Sequence, residues 1–288
     1  MIAVLGPGGV GGLVAAALAG AGENVVVIAH EDTAQTIARR GIRVSSVLLG
    51  DFTAYPRAVP RLEEAADVLV LATKATTLAN ALTRVVAVPR IVVPLLNGID
   101  HVAALRARYE WVTASVIRVE SDRPEPGVVV QTSPRIRIDL SPDWPAVRVF
   151  ASELERAGIP TQVSDDEATV LWTKLVRLTA LALATSAHDL PLGPIRSTPE
   201  LFDELRALVR ECAAVARAEG ADLAADAVLA ELTEAHPGAG SSMRRDLAAG
   251  RPPELDAIAG AVLRAAARHD LDAPTVARLA DRVRARAG

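Results

Sequence analysis

The chain has 288 residues, with 31 basic against 35 acidic side chains and a formal net charge of −4. Half of it is hydrophobic and 23% is charged, which excludes a disordered chain and suffices for a real core without disulfide or metal staples. The acidic balance argues against a nucleic-acid or anionic-membrane partner, and at roughly 100–200 residues per domain the length suggests two domains.

Aromatic residues make up only 3%, so alanine, valine and leucine must fill the interior. The single cysteine, Cys212, permits neither an internal disulfide nor a cysteine-based zinc site. It reads as a small apolar helix residue, and a reducing cytoplasm fits. His30, His101, His188, His236 and His269 are scattered, and no metal site is expected. Two apolar stretches, 1–21 and 171–187, read as soluble. The first lacks a basic flank and contains a glycine loop. The second is interrupted by Lys174 and Arg177 and is shorter than the roughly 20 clean apolar residues that a span needs.

In chain order, 2–5 is a short β run, followed by the glycine-rich stretch Gly6 to Gly12. A helix over 13–19 is closed by Gly20 and Gly22, and 24–29 is a second β run. The pattern continues with a helix over 33–40 and a strand over 42–49. A fully buried strand over 67–72 is of the kind that a parallel sheet uses. Then come a helix over 78–85, a strand over 90–96, alternating β stretches over 112–119 and 127–140, and an amphipathic helix over 145–157. After about residue 163 strand runs vanish. Helices are expected at 166–186, 199–219, 221–235, 241–249, 253–269 and 273–287. No internal repeat appears. The expected fold class is α/β: an N-terminal Rossmann-type doubly wound sheet followed by an all-helical C-terminal domain. The domains are read as 1–163, dinucleotide-binding, and 164–288, helical, for substrate binding and dimerisation.

The G-x-G-x-x-G spacing of Gly6, Gly8 and Gly11 has a mechanism. Gly6 allows the tight turn, Gly8 lets the backbone approach a pyrophosphate, and Gly11 lets helix and strand pack closely. The helix N-terminus then offers N–H groups and partial positive charge to the phosphates. An acidic residue ending the second strand would favour NAD, and a basic one NADP. The sequence there is Ala29-His30-Glu31-Asp32. His30 points neither way, Glu31 or Asp32 would repel a 2′-phosphate, and Arg39 and Arg40 read as a solvated helix end.

Several polar residues look out of place. Thr73-Lys74 ends the buried strand and so lies on the edge where open α/β sheets bind ligands. Asn97-Gly98 ends the next strand on the same edge, although Asn-Gly is often only a turn. Lys174 sits in an almost wholly apolar helix. An ammonium there could deliver a proton near neutral pH, or it could snorkel from the helix edge. Ser241-Ser242-Met243 reads as a helix cap, which is compatible with carboxylate binding. Glu254 and Asp256 begin the next helix, where first-turn acids are ordinary dipole complements.

Together these residues resemble the ketopantoate reductase (2-dehydropantoate 2-reductase) family over nearly the whole chain. The resemblance rests on Gly6-Pro7-Gly8-Gly9-Val10-Gly11, Ala72-Thr73-Lys74-Ala75, Leu95-Leu96-Asn97-Gly98, Leu171-Trp172-Thr173-Lys174-Leu175, the Ser241–Asp246 stretch and the Glu254–Gly260 stretch. It implies a Rossmann domain and a helical domain with the active site in a cleft. The implied reaction is reduction of the 2-oxo group of ketopantoate to (R)-pantoate, with NADPH as coenzyme (NAD remaining possible), for coenzyme A synthesis. By position, Lys174 would be the general acid, Glu254 would hold the substrate hydroxyl and help place Lys174, and Ser242 would bind the carboxylate. Asn97 and Lys74 would contact the cofactor and order the cleft. Gly6, Gly8, Gly9, Val10, Gly11 and His30 would complete the cofactor site. A homodimer is possible.

Two positions depart from the family pattern. Four residues after the lysine the family usually carries an asparagine that binds substrate, and here Leu178 stands there, with Ala182 one turn further. His30 stands where an arginine commonly meets the 2′-phosphate. Leu178 admits an alternative reading, a relative that reduces a different ketone or an imine. A non-catalytic dinucleotide-binding protein is the reading from another class.

Overall fold

In the computed structural model, which describes residues 1–288, the chain divides into two units: residues 1–96 with 101–167, and residues 97–100 with 168–288. In chain order the first unit contains β1 (Ile2–Leu5), α1 (Gly9–Gly20), β2 (Val25–Ile28), α2 (Glu31–Arg40), β3 (Ile42–Ser46), β4 (Phe52–Ala54), β5 (Arg57–Val59), β6 (Val68–Leu71), α3 (Leu78–Ala81) and β7 (Ile91–Pro94). It continues with α4 (Asp100–Arg106), whose first residue groups with the second unit, then β8 (Ala114–Arg118), β9 (Ser121–Glu125), β10 (Val128–Gln131), β11 (Arg137–Ser141), α5 (Pro145–Arg156) and β12 (Thr161–Val163).

β1, β2, β6 and β7 are buried at every position. Such runs without alternation require cover on both faces, as in a parallel sheet. They form one, in the order β5-β2-β1-β6-β7, with every pairing parallel. β1 and β6 pair from Ile2 with Val68 to Leu5 with Leu71. The chain order reverses between them, so the sheet has its topological switch point beyond Leu5 and Leu71, which is where such sheets bind ligands. Helix α1 is apolar on nearly every side, and such a helix must be covered all round. It packs against β1 and β2 on one side and against β3, β4, β9 and β10 on the other. Those last four make a second, mixed sheet. Leu13 and Leu18 of α1 are fully buried, each contributing about 1.5–3 kcal/mol. A third sheet, β12-β11-β8, completes the unit.

The second unit is helical: α6 (Glu167–His188), whose first residue groups with the first unit, α7 (Leu192–Ser197), α8 (Pro199–Ala218), α9 (Ala225–Glu234), α10 (Ser242–Ala248), a π-helical turn (Asp256–Gly260) running into α11 (Ala261–Arg268), and α12 (Pro274–Ala287). By length and composition α6 could cross a membrane, but two-thirds of its apolar window is buried in the protein, and its apolar residues belong to the core cluster of this unit. Cys212 is buried on α8, and burial pushes its thiol pKa up.

Several segments differ from the expectation: the β stretch over 127–140 divides into β10 and β11, and β4, β5, β9, β12, α4 and α7 are additional elements. Three of the differences have a local reason. The helix expected over 78–85 is broken into a 3₁₀ turn at Ala75–Thr77, the single turn α3, and another 3₁₀ turn at Leu82–Arg84. Thr77 and Thr83 turn their hydroxyls onto the carbonyls of Lys74 and Asn80, competing with the helical ladder. The strand expected over 42–49 stops at Ser46, whose Oγ accepts from the Leu48 and Leu49 N–H groups and closes a turn. Finally, β5 lies between Pro56 and Pro60, is only three residues long, and shows no periodicity to read.

Candidate active site

In the first unit, the glycine loop leaves β1 at the switch point. Gly6 lies at φ +91°, which places its carbonyl under α1: a Cβ on Gly11 would stand 2.2 Å from that oxygen. Gly11 is therefore a close-packing glycine. Gly8 differs, because a Cβ there would meet nothing within 4 Å. It is the N-cap residue of α1 and offers no side-chain cap, so bare backbone faces open space at a helix N-terminus. That cradle fits a pyrophosphate. Gly9 is packed by β9, where Ser121 donates to its carbonyl at 2.9 Å, and Val10 follows it in the first turn of α1. Thr73 approaches the same loop, since its methyl would lie 2.8 Å from a Cβ on Gly6. Lys74, one residue on, is exposed and caps the 3₁₀ turn. The strand end 72–74 and the glycine loop thus share one edge of the sheet.

His30 is the N-cap residue of α2, beyond the end of β2. Its Nδ1 lies 2.8 Å from Arg84 Nη2. Arginine only donates, so Nδ1 accepts and the ring proton sits on Nε2. Arg84 also donates to the Pro60 carbonyl at 2.9 Å and to Glu31 Oε1 at 3.2 Å. The Glu31 carboxyl is held below the usual carboxylate range, first by a backbone hydrogen bond and then by Arg84. Sequence reasoning missed Arg84, which no local signal links to a residue 54 positions away.

In the second unit, Asn97, Lys174 and Glu254 come together. Lys174 Nζ donates to Asn97 Oδ1 at 3.1 Å, and Asn97 Nδ2 donates to Glu254 Oε2 at 3.1 Å. The amide therefore has its carbonyl toward the ammonium and its nitrogen toward the carboxylate, the only orientation that satisfies both. All three are half-buried. Lys174 emerges from the less buried face of α6, and Leu178, one turn on, shares that face. Leu178 packs against the apolar core of the unit, and Ala182 is fully buried. The Leu178 side of the site thus offers no hydrogen-bonding group at either turn.

The Asn97 turn is held tightly. Gly98 lies at φ +81°, and a Cβ on it would stand 2.2 Å from the Ala257 carbonyl oxygen, so only glycine lets the turn seat on the π-helical turn after Glu254. Asp100 and Asp256 both bind Arg264. Neither Asp100 nor Arg264 was marked by the sequence.

Ser241 and Ser242 separate in role. Ser241 is buried and is the N-cap of α10, its Oγ accepting from Arg244 N at 3.1 Å and lying 2.8 Å from Thr185 Oγ1. Ser242 is exposed in the first turn. Capping by its neighbour leaves the Ser242 hydroxyl available to a ligand. No cluster of histidine, cysteine, aspartate or glutamate suited to a metal ion is present.

Residues 2–142 match the family described as ketopantoate reductase PanE/ApbA, and residues 168–287 match its C-terminal part. The chain is 35% identical to a 2-dehydropantoate 2-reductase of Caulobacter vibrioides over 286 residues, covering 95% of this chain and 94% of the relative. It is 34% identical to one of Mycobacterium tuberculosis over 288 residues, covering 95% and 93%. Among solved structures, it superposes on a 2-dehydropantoate 2-reductase of Geobacter metallireducens with a TM-score of 0.90 at 26% identity, covering 99% of both chains.

Proposed function

The chain belongs to the ketopantoate reductase family, and from that premise we propose that it reduces 2-dehydropantoate to (R)-pantoate with a nicotinamide dinucleotide, NADPH in the first place and NAD(H) as the possible alternative. The observation that carries this reading is the Lys174–Asn97–Glu254 chain of hydrogen bonds.

A bound dinucleotide supplies the hydride that goes to the carbonyl carbon. Gly8 and the N-terminus of α1 would hold its pyrophosphate, with Gly6, Gly9, Val10, Gly11, Lys74 and His30 around it. As the carbonyl oxygen gains negative charge, the Lys174 ammonium stabilises it and passes it a proton. Asn97 fixes where that ammonium points by accepting one of its N–H groups, and the Glu254 carboxylate fixes Asn97 in turn. Glu254 also accepts from the substrate hydroxyl, and the Ser242 hydroxyl donates to the substrate carboxylate. A cytoplasmic location and a homodimeric state belong to the same proposal.

Leu178 favours a second reading. Where a substrate hydroxyl would need a partner, this chain presents a leucine packed on an apolar core. A site without that partner suits a 2-oxo acid, or another ketone or imine, lacking the 4-hydroxyl. Steady-state oxidation of NADPH and of NADH, each with ketopantoate and with 3,3-dimethyl-2-oxobutanoate, separates the two. Preference for ketopantoate upholds the first reading. Preference for the analogue upholds the second, and turnover of neither rejects the first and directs the second to a different ketone or an imine.

A further inference from the structure

The second strand of the parallel sheet ends without an arginine: β2 is followed by Ala29, His30, Glu31 and Asp32. A dinucleotide with its pyrophosphate at the glycine loop places its adenosine ribose beyond the end of this strand, where an acid reads a 2′-hydroxyl and an arginine reads a 2′-phosphate. The fold delivers the missing cation from elsewhere. Arg84, at the end of the last 3₁₀ turn before β7, reaches the N-terminus of α2 and meets His30 and Glu31 there.

The partners of Arg84 are unequal. Pro60 O at 2.9 Å and His30 Nδ1 at 2.8 Å anchor the guanidinium, whose side chain is only 23% exposed. Glu31 is 71% exposed and stands further off, at 3.2 Å. An exposed carboxylate at that distance is a weak partner. A phosphate is a strong one, because it offers more charge and takes the planar guanidinium fork in two parallel hydrogen bonds. The carboxylate is thus the group most readily given up, while the anchored cation stays in place.

We propose that Arg84 is the coenzyme-selecting residue of this chain: its guanidinium receives the 2′-phosphate of NADP(H), and Glu31 is the ligand it releases to do so. With NAD(H), Glu31 keeps Arg84 and accepts from the ribose 2′-hydroxyl. Both coenzymes are then bound, and the competition for Arg84 between Glu31 and the phosphate sets their ratio. This rests on the dinucleotide reading of the glycine loop.

The test is direct binding, by calorimetry, of NADP⁺, NAD⁺, 2′,5′-ADP and 5′-AMP to the wild type and to Arg84→Ala, Arg84→Lys and Glu31→Gln. The expected result is a loss of at least tenfold in affinity for NADP⁺ and 2′,5′-ADP in Arg84→Ala, partly restored in Arg84→Lys, with NAD⁺ and 5′-AMP within about threefold of wild type. Glu31→Gln, an exposed change that leaves the fold intact, is expected to tighten NADP⁺ several-fold and to weaken NAD⁺. Equal losses for NAD⁺ and NADP⁺ in Arg84→Ala, or NADP⁺ binding that ignores both Arg84→Lys and Glu31→Gln, would overturn the assignment while leaving the dinucleotide reading standing. A wild type that binds none of the four ligands removes both.

Discussion

Arg264 Nη2 lies 2.6 Å from Asp100 Oδ2, while Nη1 of the same guanidinium lies 2.8 Å from Asp256 Oδ1. One side chain therefore fastens the segment that carries Asn97 to the turn that follows Glu254. Arg264 and Asp100 are each about half exposed, at 44% and 45%, so as an ion pair they contribute about 1 kcal/mol of stability or less. On the proposed reading their effect is geometric, because it keeps Asn97 within hydrogen-bond reach of both Lys174 and Glu254. A misplacement of about 1 Å in a catalytic group can lower a rate by roughly 100-fold. Arg264→Met is expected to lower kcat about tenfold with little change in Tm, and Arg264→Lys to restore part of it. Steady-state kinetics beside thermal unfolding checks this. Unchanged kcat with a large fall in Tm would make the clamp purely structural.

On the proposed reading, Lys174 is the group on which the chemistry depends. Lys174→Ala is expected to lower kcat by about 10²–10⁴-fold, the usual contribution of a positioned general acid. Dinucleotide affinity, which the proposed reading assigns mainly to the glycine loop and the strand ends of the first unit, should stay within about twofold. Single-turnover rates and calorimetric binding measured on one preparation separate the two quantities. A Lys174→Ala enzyme as fast as wild type would place the proton donor elsewhere.

Leu178 is the specificity test. Leu178→Asn puts a hydrogen-bonding amide on the Lys174 face one turn away, where the wild type has an apolar wall. Sites that hydrogen-bond a substrate hydroxyl discriminate strongly against analogues lacking it. The kcat/KM ratio of ketopantoate to 3,3-dimethyl-2-oxobutanoate is expected to rise about tenfold or more in the variant. A ratio that does not move would mean that the hydroxyl is held by another group, with Glu254 the first candidate.

These expectations divide by how local their signals are. The glycine loop, the buried strands and Lys174 were legible because each is a short-range pattern: a spacing, a run, or a charge in an apolar helix. The Lys174–Asn97 bond was not, since its partners lie 77 residues apart. Local sequence left each open between a functional residue and a turn residue or helix-edge charge, and only the fold joined them. Arg84 was hidden for a further reason, because the segment expected as one helix over 78–85 is broken and ends in a 3₁₀ turn at Leu82–Arg84. Gly98 is a similar case: Asn-Gly reads as a turn, but the need for glycine comes from the Ala257 carbonyl pressed against it. Sequence also placed Ser241 and Ser242 together, and only burial divided the cap from the exposed hydroxyl.

The helical unit should respond to acid through Glu204. Burial raises the pKa of this carboxyl, but hydrogen bonds from His188 and Arg278 outweigh burial and hold it below the ordinary value of 4.5. The Arg278 bond measures 2.7 Å, and the Glu204 side chain is 14% exposed. A carboxyl whose pKa is lower folded than unfolded binds more protons in the unfolded state. Its stabilisation is therefore full above about 4.5 and is lost as pH falls through the lower, folded value. Glu204→Gln has no such proton to take up. The expected outcome is that wild type is the more stable at pH 7, and that the gap narrows progressively below pH 4.5. Urea unfolding of both proteins across pH 3–7 measures it. A constant gap over that range would show that Glu204 stabilises by packing rather than by charge.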